Sequence, residues 1–137
     1  MHSLLNEANR RAIASLRRVV ASKGVPVEFW RALEVMADKR GRCMSELSGE
    51  AGMQLSATSK LVDRMVDAGL LERSVDPADH RRVILRISER GMEKVAALSG
   101  DVRRQRGRLE PHFSASRERQ LRELLAEYIR AHHRASD

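Results

Sequence analysis

Residues 69–91, GLLERSVDPADHRRVILRISERG, interrupt a chain that is otherwise patterned for helices. Leu71 to Val75 and Val83 to Ile87 are short stretches carrying β-branched residues, and Val83, Leu85 and Ile87 alternate against Ile84 and Arg86. That two-residue period predicts strands. Between them lies Asp76-Pro77-Ala78-Asp79-His80-Arg81-Arg82, a proline-containing turn with a basic end. The unit reads as a β-hairpin with a long cationic tip. Gly69 punctuates the helix before it, and Ser88 is placed to cap the helix after it.

Upstream of Gly69, Thr58, Leu61, Val62 and Met65 recur at helical spacing and predict a helix beginning at Ser56, its N-cap. With those four facing inward, Ser56, Lys60, Asp63 and Arg64 face outward and Ser59 lies at the rim. A phosphate is attracted to a helix N-terminus, which makes Ser56 a candidate contact. Arg64 can bind guanine in a bidentate way, Lys60 can neutralise phosphate, and Asp63 is expected to be repelled by phosphates unless one of these cations screens it. A shorter helix with Met44, Leu47 and Ala51 precedes it across Gly52. Before that, a helix is predicted from Pro26 to about Lys39, with Phe29, Trp30, Leu33 and Met36 on its apolar side and Gly41 after its end. The opening helix places Leu5, Ala8, Ala12, Ile13, Leu16, Val19 and Val20 on one side and Arg10, Arg11, Arg17 and Arg18 mostly elsewhere. It ends near Gly24 and Pro26. Downstream, the helix after Ser88 is read with Met92, Val95, Ala96 and Val102 on one face, weakened at Gly100 and ended or interrupted by Pro111. A last helix from near Ser114 carries Leu121, Leu124, Leu125, Tyr128 and Ile129.

The 137 residues fit one domain, and 26 Lys+Arg against 19 Asp+Glu give a net charge of +7. Such a basic chain suits a polyanionic partner. No apolar run approaches the ~20 residues of a membrane span, and the first twenty residues carry charges where a signal peptide is apolar, so a cytoplasmic protein is expected. The sole cysteine, Cys43, permits no internal disulfide and no Cys-rich zinc site. Aromatic residues make up 3% of the chain, too few rings for stacking single-stranded bases. The glycines form no phosphate-cradling loop, HExxH and GxSxG are absent, and His2, His80, His112, His132 and His133 show no i, i+4 pairing that aims two imidazoles at one metal. No cofactor, no metal and no enzymatic activity are expected.

Helix, short helix, turn, helix and basic-tipped hairpin form the winged helix-turn-helix order. The expected fold class is mainly α with a small β-hairpin wing, flanked by N- and C-terminal helices. From Trp30 to Gly91 the chain resembles the MarR family of transcriptional regulators. The resemblance is carried by Trp30 and Leu33, Ser45-Glu46-Leu47, Ser56 to Arg64, Gly69-Leu70-Leu71-Glu72-Arg73, the Asp76 to Arg82 turn and Ile87-Ser88-Glu89-Arg90-Gly91. His80 departs from the Arg of many relatives, Cys43 from a usual Thr or Ser, Ser48 from Ala and Ser88 from Thr.

The resemblance implies one MarR-like domain over 1–137, with a winged helix DNA-binding region at 26–91 and a helical dimerisation region at 1–24 and 92–137. It implies DNA contacts by Ser56, Ser59, Lys60, Arg64, Asp79, His80, Arg81 and Arg82. Among these, Arg81 enters the minor groove and Asp79 orients the arginine. It further implies dimerisation through Leu5, Ile13, Leu16, Leu121, Leu124, Leu125 and Tyr128. The partners would be a pseudo-palindromic double-stranded DNA operator, a second copy, and a small-molecule effector, often an anionic aromatic, that releases a repressor. Oxidation of Cys43, near a helix N-terminus with Glu46 in capping-box register, is an alternative sensing mode. A nonspecific DNA-coating protein and a helical protein adaptor are the rival readings.

Overall fold

The computed structural model describes residues 1–136. Its elements run α1 (His2–Ala21), α2 (Val27–Met36), α3 (Met44–Ala51), α4 (Leu55–Asp67), β1 (Leu71–Val75), β2 (Val83–Ile87), α5 (Glu89–Gly107) and α6 (Ala115–Ser136). This is a mainly helical winged helix-turn-helix fold. The two strands form an antiparallel hairpin in which Leu71 pairs with Ile87, Arg73 with Leu85 and Val75 with Val83.

Packing divides the chain into two compact units, Met1–Val102 and the segment from Arg103 onward. In the first, Leu33, Met36, Leu47, Val62, Met65, Leu71 and Leu85 form the main core, drawn from α2, α3, α4 and the hairpin. Truncating one of the fully buried members, as in Leu33→Ala, costs about 2–5 kcal/mol in such a setting. A second cluster gathers Val20, Val25, Val27, Trp30, Leu98 and Val102, with Ile13 and Leu16 packed against it. The apolar stripe of α1 is thus partly used within its own chain.

Four details differ from the sequence-based expectations. The helix expected to reach Lys39 stops at Met36, and Lys39 itself takes a left-handed conformation at φ 65. Gly41 instead lets the hairpin approach, since a Cβ there would lie 2.8 Å from the Ile84 side chain. Helix α4 begins one residue before Ser56, and its N-cap is Gln54. On α5 the inward stripe is Gly91, Leu98 and Val102, with Val95 half-buried, whereas Ala96 is exposed. Gly91 opens that stripe without adding hydrophobicity, which tilts a pattern-based phase toward Met92 and Ala96.

The Gly69 and Ser88 expectations match the geometry. Gly69 takes φ 73 just past α4, a conformation that disfavours any residue with a Cβ. The Ser88 hydroxyl donates to the Gly69 carbonyl and accepts from the Gly91 amide at 3.0 Å, so one side chain ties the end of α4 to the start of α5.

In the second unit, the Ser114 hydroxyl accepts from the Arg117 amide at the start of α6. No residue of α6 is buried. Leu121, Leu124, Tyr128 and Ile129 are exposed, with Leu124 at 63%, and Leu125 is half-buried.

Candidate nucleic-acid interface

Helix α4 buries Thr58, Leu61, Val62 and Met65, which turns Gln54, Leu55, Ser56, Ser59, Lys60 and Asp63 to solvent. Its start is held from inside. The buried Thr58 donates both its amide and its hydroxyl to the Gln54 carbonyl, at 2.9 and 2.8 Å. Ser56, the second residue of the helix, is therefore not a cap, although its hydroxyl still lies in the first turn where backbone amides favour an anion. Arg31 closes the turn between α3 and α4 by donating to the carbonyls of Ala51 and Gly52.

Asp63 is screened neither by Lys60 nor by Arg64. Its carboxylate accepts from Arg73 on β1 at 2.6 Å, which ties helix α4 to the rising strand of the wing. Arg64 lies in the last turn of α4, with its guanidinium 5.0 Å from the centroid of the Phe29 ring. To reach a base edge it would have to leave that ring.

The hairpin tip is shaped by its own acids. Asp76 accepts from the Ala78 amide at 2.9 Å and Asp79 from the Arg81 amide at 3.1 Å. These are local turns of the kind that Asp side chains favour. The Asp76 amide also donates to the Arg82 carbonyl at 2.8 Å. The Asp79 bond is to the Arg81 backbone amide, and the Arg81 side chain is exposed, as is His80. Arg82 turns back and pairs with Glu46 on α3.

Glu46 has a second donor. The Cys43 thiol donates to its carboxylate at 3.0 Å, and this bond, ahead of the Cys43 amide and the nearby charges of Arg82 and Arg42, holds the Glu46 carboxyl below its ordinary value. Cys43 is the N-cap of α3 but makes no side-chain cap bond. The capping-box register is therefore filled from the Glu46 side alone.

One residue that the sequence pattern passed over anchors the wing. Arg42 is 4% exposed. Its guanidinium makes two bonds of 2.7 Å to Asp38 and one to Glu50. Its backbone forms a bridge with Leu85, the two amides and carbonyls exchanging bonds of 3.0 and 2.7 Å. The hairpin is thereby joined to the segment leading into α3.

Among the described residues no cluster of His, Cys, Asp and Glu could hold a metal ion, and no helix is long and apolar enough to cross a membrane.

A helix held by an inner apolar stripe, preceded by a short helix across a glycine turn and followed by a pinned two-stranded wing, defines a winged helix-turn-helix protein. Residues 23–82 match the model of the MarR family. Over that stretch the chain is similar to the MarR family. A curated relative, the HTH-type transcriptional repressor IacR of Pseudomonas putida, is 29% identical over 66% of this chain and 54% of its own. The chain therefore spans about half the length of that relative. The solved structure of the transcriptional regulator PA4135 superposes with a TM-score of 0.88 at 23% identity, over 95% of this chain and 96% of that one. The structure of NadR in complex with 4-hydroxyphenylacetate superposes with a TM-score of 0.79 at 21% identity, over 90% and 88%.

Proposed function

We infer that the protein is a homodimeric, sequence-specific DNA-binding transcriptional regulator, a repressor that a small molecule releases from its operator. It acts in the cytoplasm and performs no catalysis. The observation that carries this reading is the reading head itself: the outward row of α4 together with a wing tip whose turn is closed by the Asp79 bond to the Arg81 amide and whose Arg81 side chain is exposed. A narrow minor groove concentrates negative potential around an inserted guanidinium, and Ser56, Ser59 and Lys60 stand on a helix of the kind that enters a major groove. Arg82 supports the tip through Glu46, and His80 adds a polar group to it.

Repression is supported by the name of the relative IacR. Release by a ligand is supported by the complex of the structural neighbour NadR with an aromatic acid. Within this chain, the Trp30 indole nitrogen is buried without a hydrogen-bond partner, in the cluster shared by α1, α2 and α5. An orphan donor there suits a ligand bearing an acceptor, such as a carboxylate.

The test is a titration of labelled duplexes, from upstream of the protein's own gene and of random sequence, at about 150 mM salt, where nonspecific affinity has fallen steeply. Sequence-specific regulation requires the upstream duplex to bind more tightly, and Arg81→Ala to weaken it by roughly tenfold or more. Equal affinity for both duplexes would leave the nonspecific coating protein. Binding to neither would leave the adaptor.

A further inference from the structure

The charge of this chain is not where a DNA reader would be expected to keep it. Residues 26–91, the whole winged region, contain eleven Lys and Arg against eleven Asp and Glu. All of the excess of +7 lies outside them. Within the region, Arg31, Arg40, Arg42, Arg73 and Arg82 are each bonded to a carbonyl or a carboxylate, and Arg64 rests on Phe29. Beside Lys60 on α4 and Arg81 at the wing tip, uncharged groups are therefore left to share in discriminating between sequences.

The first turn of α4 presents two such groups. Leu55, the first residue of the helix, is 54% exposed. Gln54 is exposed, and its side chain makes no capping bond because Thr58 already holds the helix start. The carboxamide is thus free to meet a partner. In duplex DNA the complements of these two side chains are specific: a glutamine amide matches the N6 and N7 edge of adenine, and an aliphatic side chain matches the thymine methyl group.

We propose that Gln54 and Leu55 determine specificity by reading A·T base pairs in the major groove, Gln54 at an adenine and Leu55 at a thymine methyl. The proposal rests on the DNA-binding reading above. It goes beyond that reading in naming the bases and in placing recognition on residues ahead of Ser56.

The test begins by selecting duplexes bound by the full chain from a random-sequence pool, then synthesising the selected sequence. Replacing the critical thymine by deoxyuridine removes only the methyl group and should weaken the parent about fourfold. Leu55→Ala should bind the thymine duplex with the same loss and show no further loss on the deoxyuridine duplex. Replacing the critical adenine by 7-deazaadenine removes N7 and should weaken the parent about fivefold or more. Gln54→Ala should be indifferent to that change. The modified duplexes probe the unaltered protein, so the result does not depend on the variants folding. Additive losses, or a selected sequence in which neither modified base affects the parent, overturn the proposal while leaving DNA reading in place. A pool that yields no enriched sequence removes both.

Discussion

At the scale of single residues, the fold depends on two positions whose roles are set by contact. Gly91 lies so close to the preceding turn that a Cβ would fall 2.4 Å from the Leu70 carbonyl oxygen. That oxygen is backbone and accepts from the Ser88 amide, so it cannot swing away as a side-chain end would. Gly91→Ala should lower stability by about 1–3 kcal/mol, read as a lower midpoint in urea with an unchanged slope. A midpoint like the parent's would show that the junction yields. Arg42 acts through hydrogen bonds instead. It holds the Asp38 carboxyl well below the usual carboxylate range, with the Arg40 amide adding to the effect. A depressed native value means that the unfolded chain takes up the proton first. The stabilisation is complete above about 3.8, the ordinary value, and is lost as pH falls through the native one. Arg42→Met should therefore lower the urea midpoint at neutral pH, and by progressively less as pH drops below 4. Parallel pH profiles for the two proteins would contradict the pairing.

At the scale of elements, the hairpin and the phase of α4 were legible in the sequence because each is a local pattern with clear punctuation. The strands occupy 71–75 and 83–87 as expected, since Gly69 and Pro77 bound them and the two-residue period is undisturbed. The inward four of α4 follow from 3.6-residue spacing alone. What was not legible arises through space. A buried arginine in a connecting segment has the composition of a solvated loop, and the pairing of Asp63 with Arg73 spans ten residues and two elements. The N-cap moved from Ser56 to Gln54, which makes no side-chain cap bond, so backbone geometry rather than side-chain capping sets the helix start. The wing tip carries the prediction that belongs at this scale. Asp79 shapes the tip by accepting from the Arg81 amide, a role that an uncharged amide oxygen can also fill. Asp79→Asn should thus retain DNA affinity within about twofold, whereas Asp79→Ala should lose most of what Arg81→Ala loses, roughly tenfold. Equal losses for Asn and Ala would mean that the charge, rather than the turn, is what matters.

At the scale of the whole molecule, α6 sets the requirement. A helix with Leu121, Leu124, Tyr128 and Ile129 exposed and no residue buried derives little stability from its own chain, because helices of this length depend on packing an apolar face. Ile13 and Leu16 already pack against the chain's second core cluster, so the surplus apolar surface is concentrated on α6. A second copy covers such a surface most simply, and two-fold symmetry makes the same patch serve both subunits. The dimer would carry two recognition helices, which must enter successive major grooves ~34–36 Å apart. Leu124→Asp with Leu125→Asp should then give a monomer by light scattering, still folded in residues 1–102 because neither position belongs to that unit's core. Its affinity for the operator should fall toward the nonspecific level. Inserting five base pairs between half-sites about 10 base pairs apart, centre to centre, rotates one of them about half a turn away and should produce the same fall in the parent. A parent that is monomeric in solution, or that occupies an isolated half-site at full affinity, would show that each α4 reads DNA alone and that the exposed face of α6 serves some other contact.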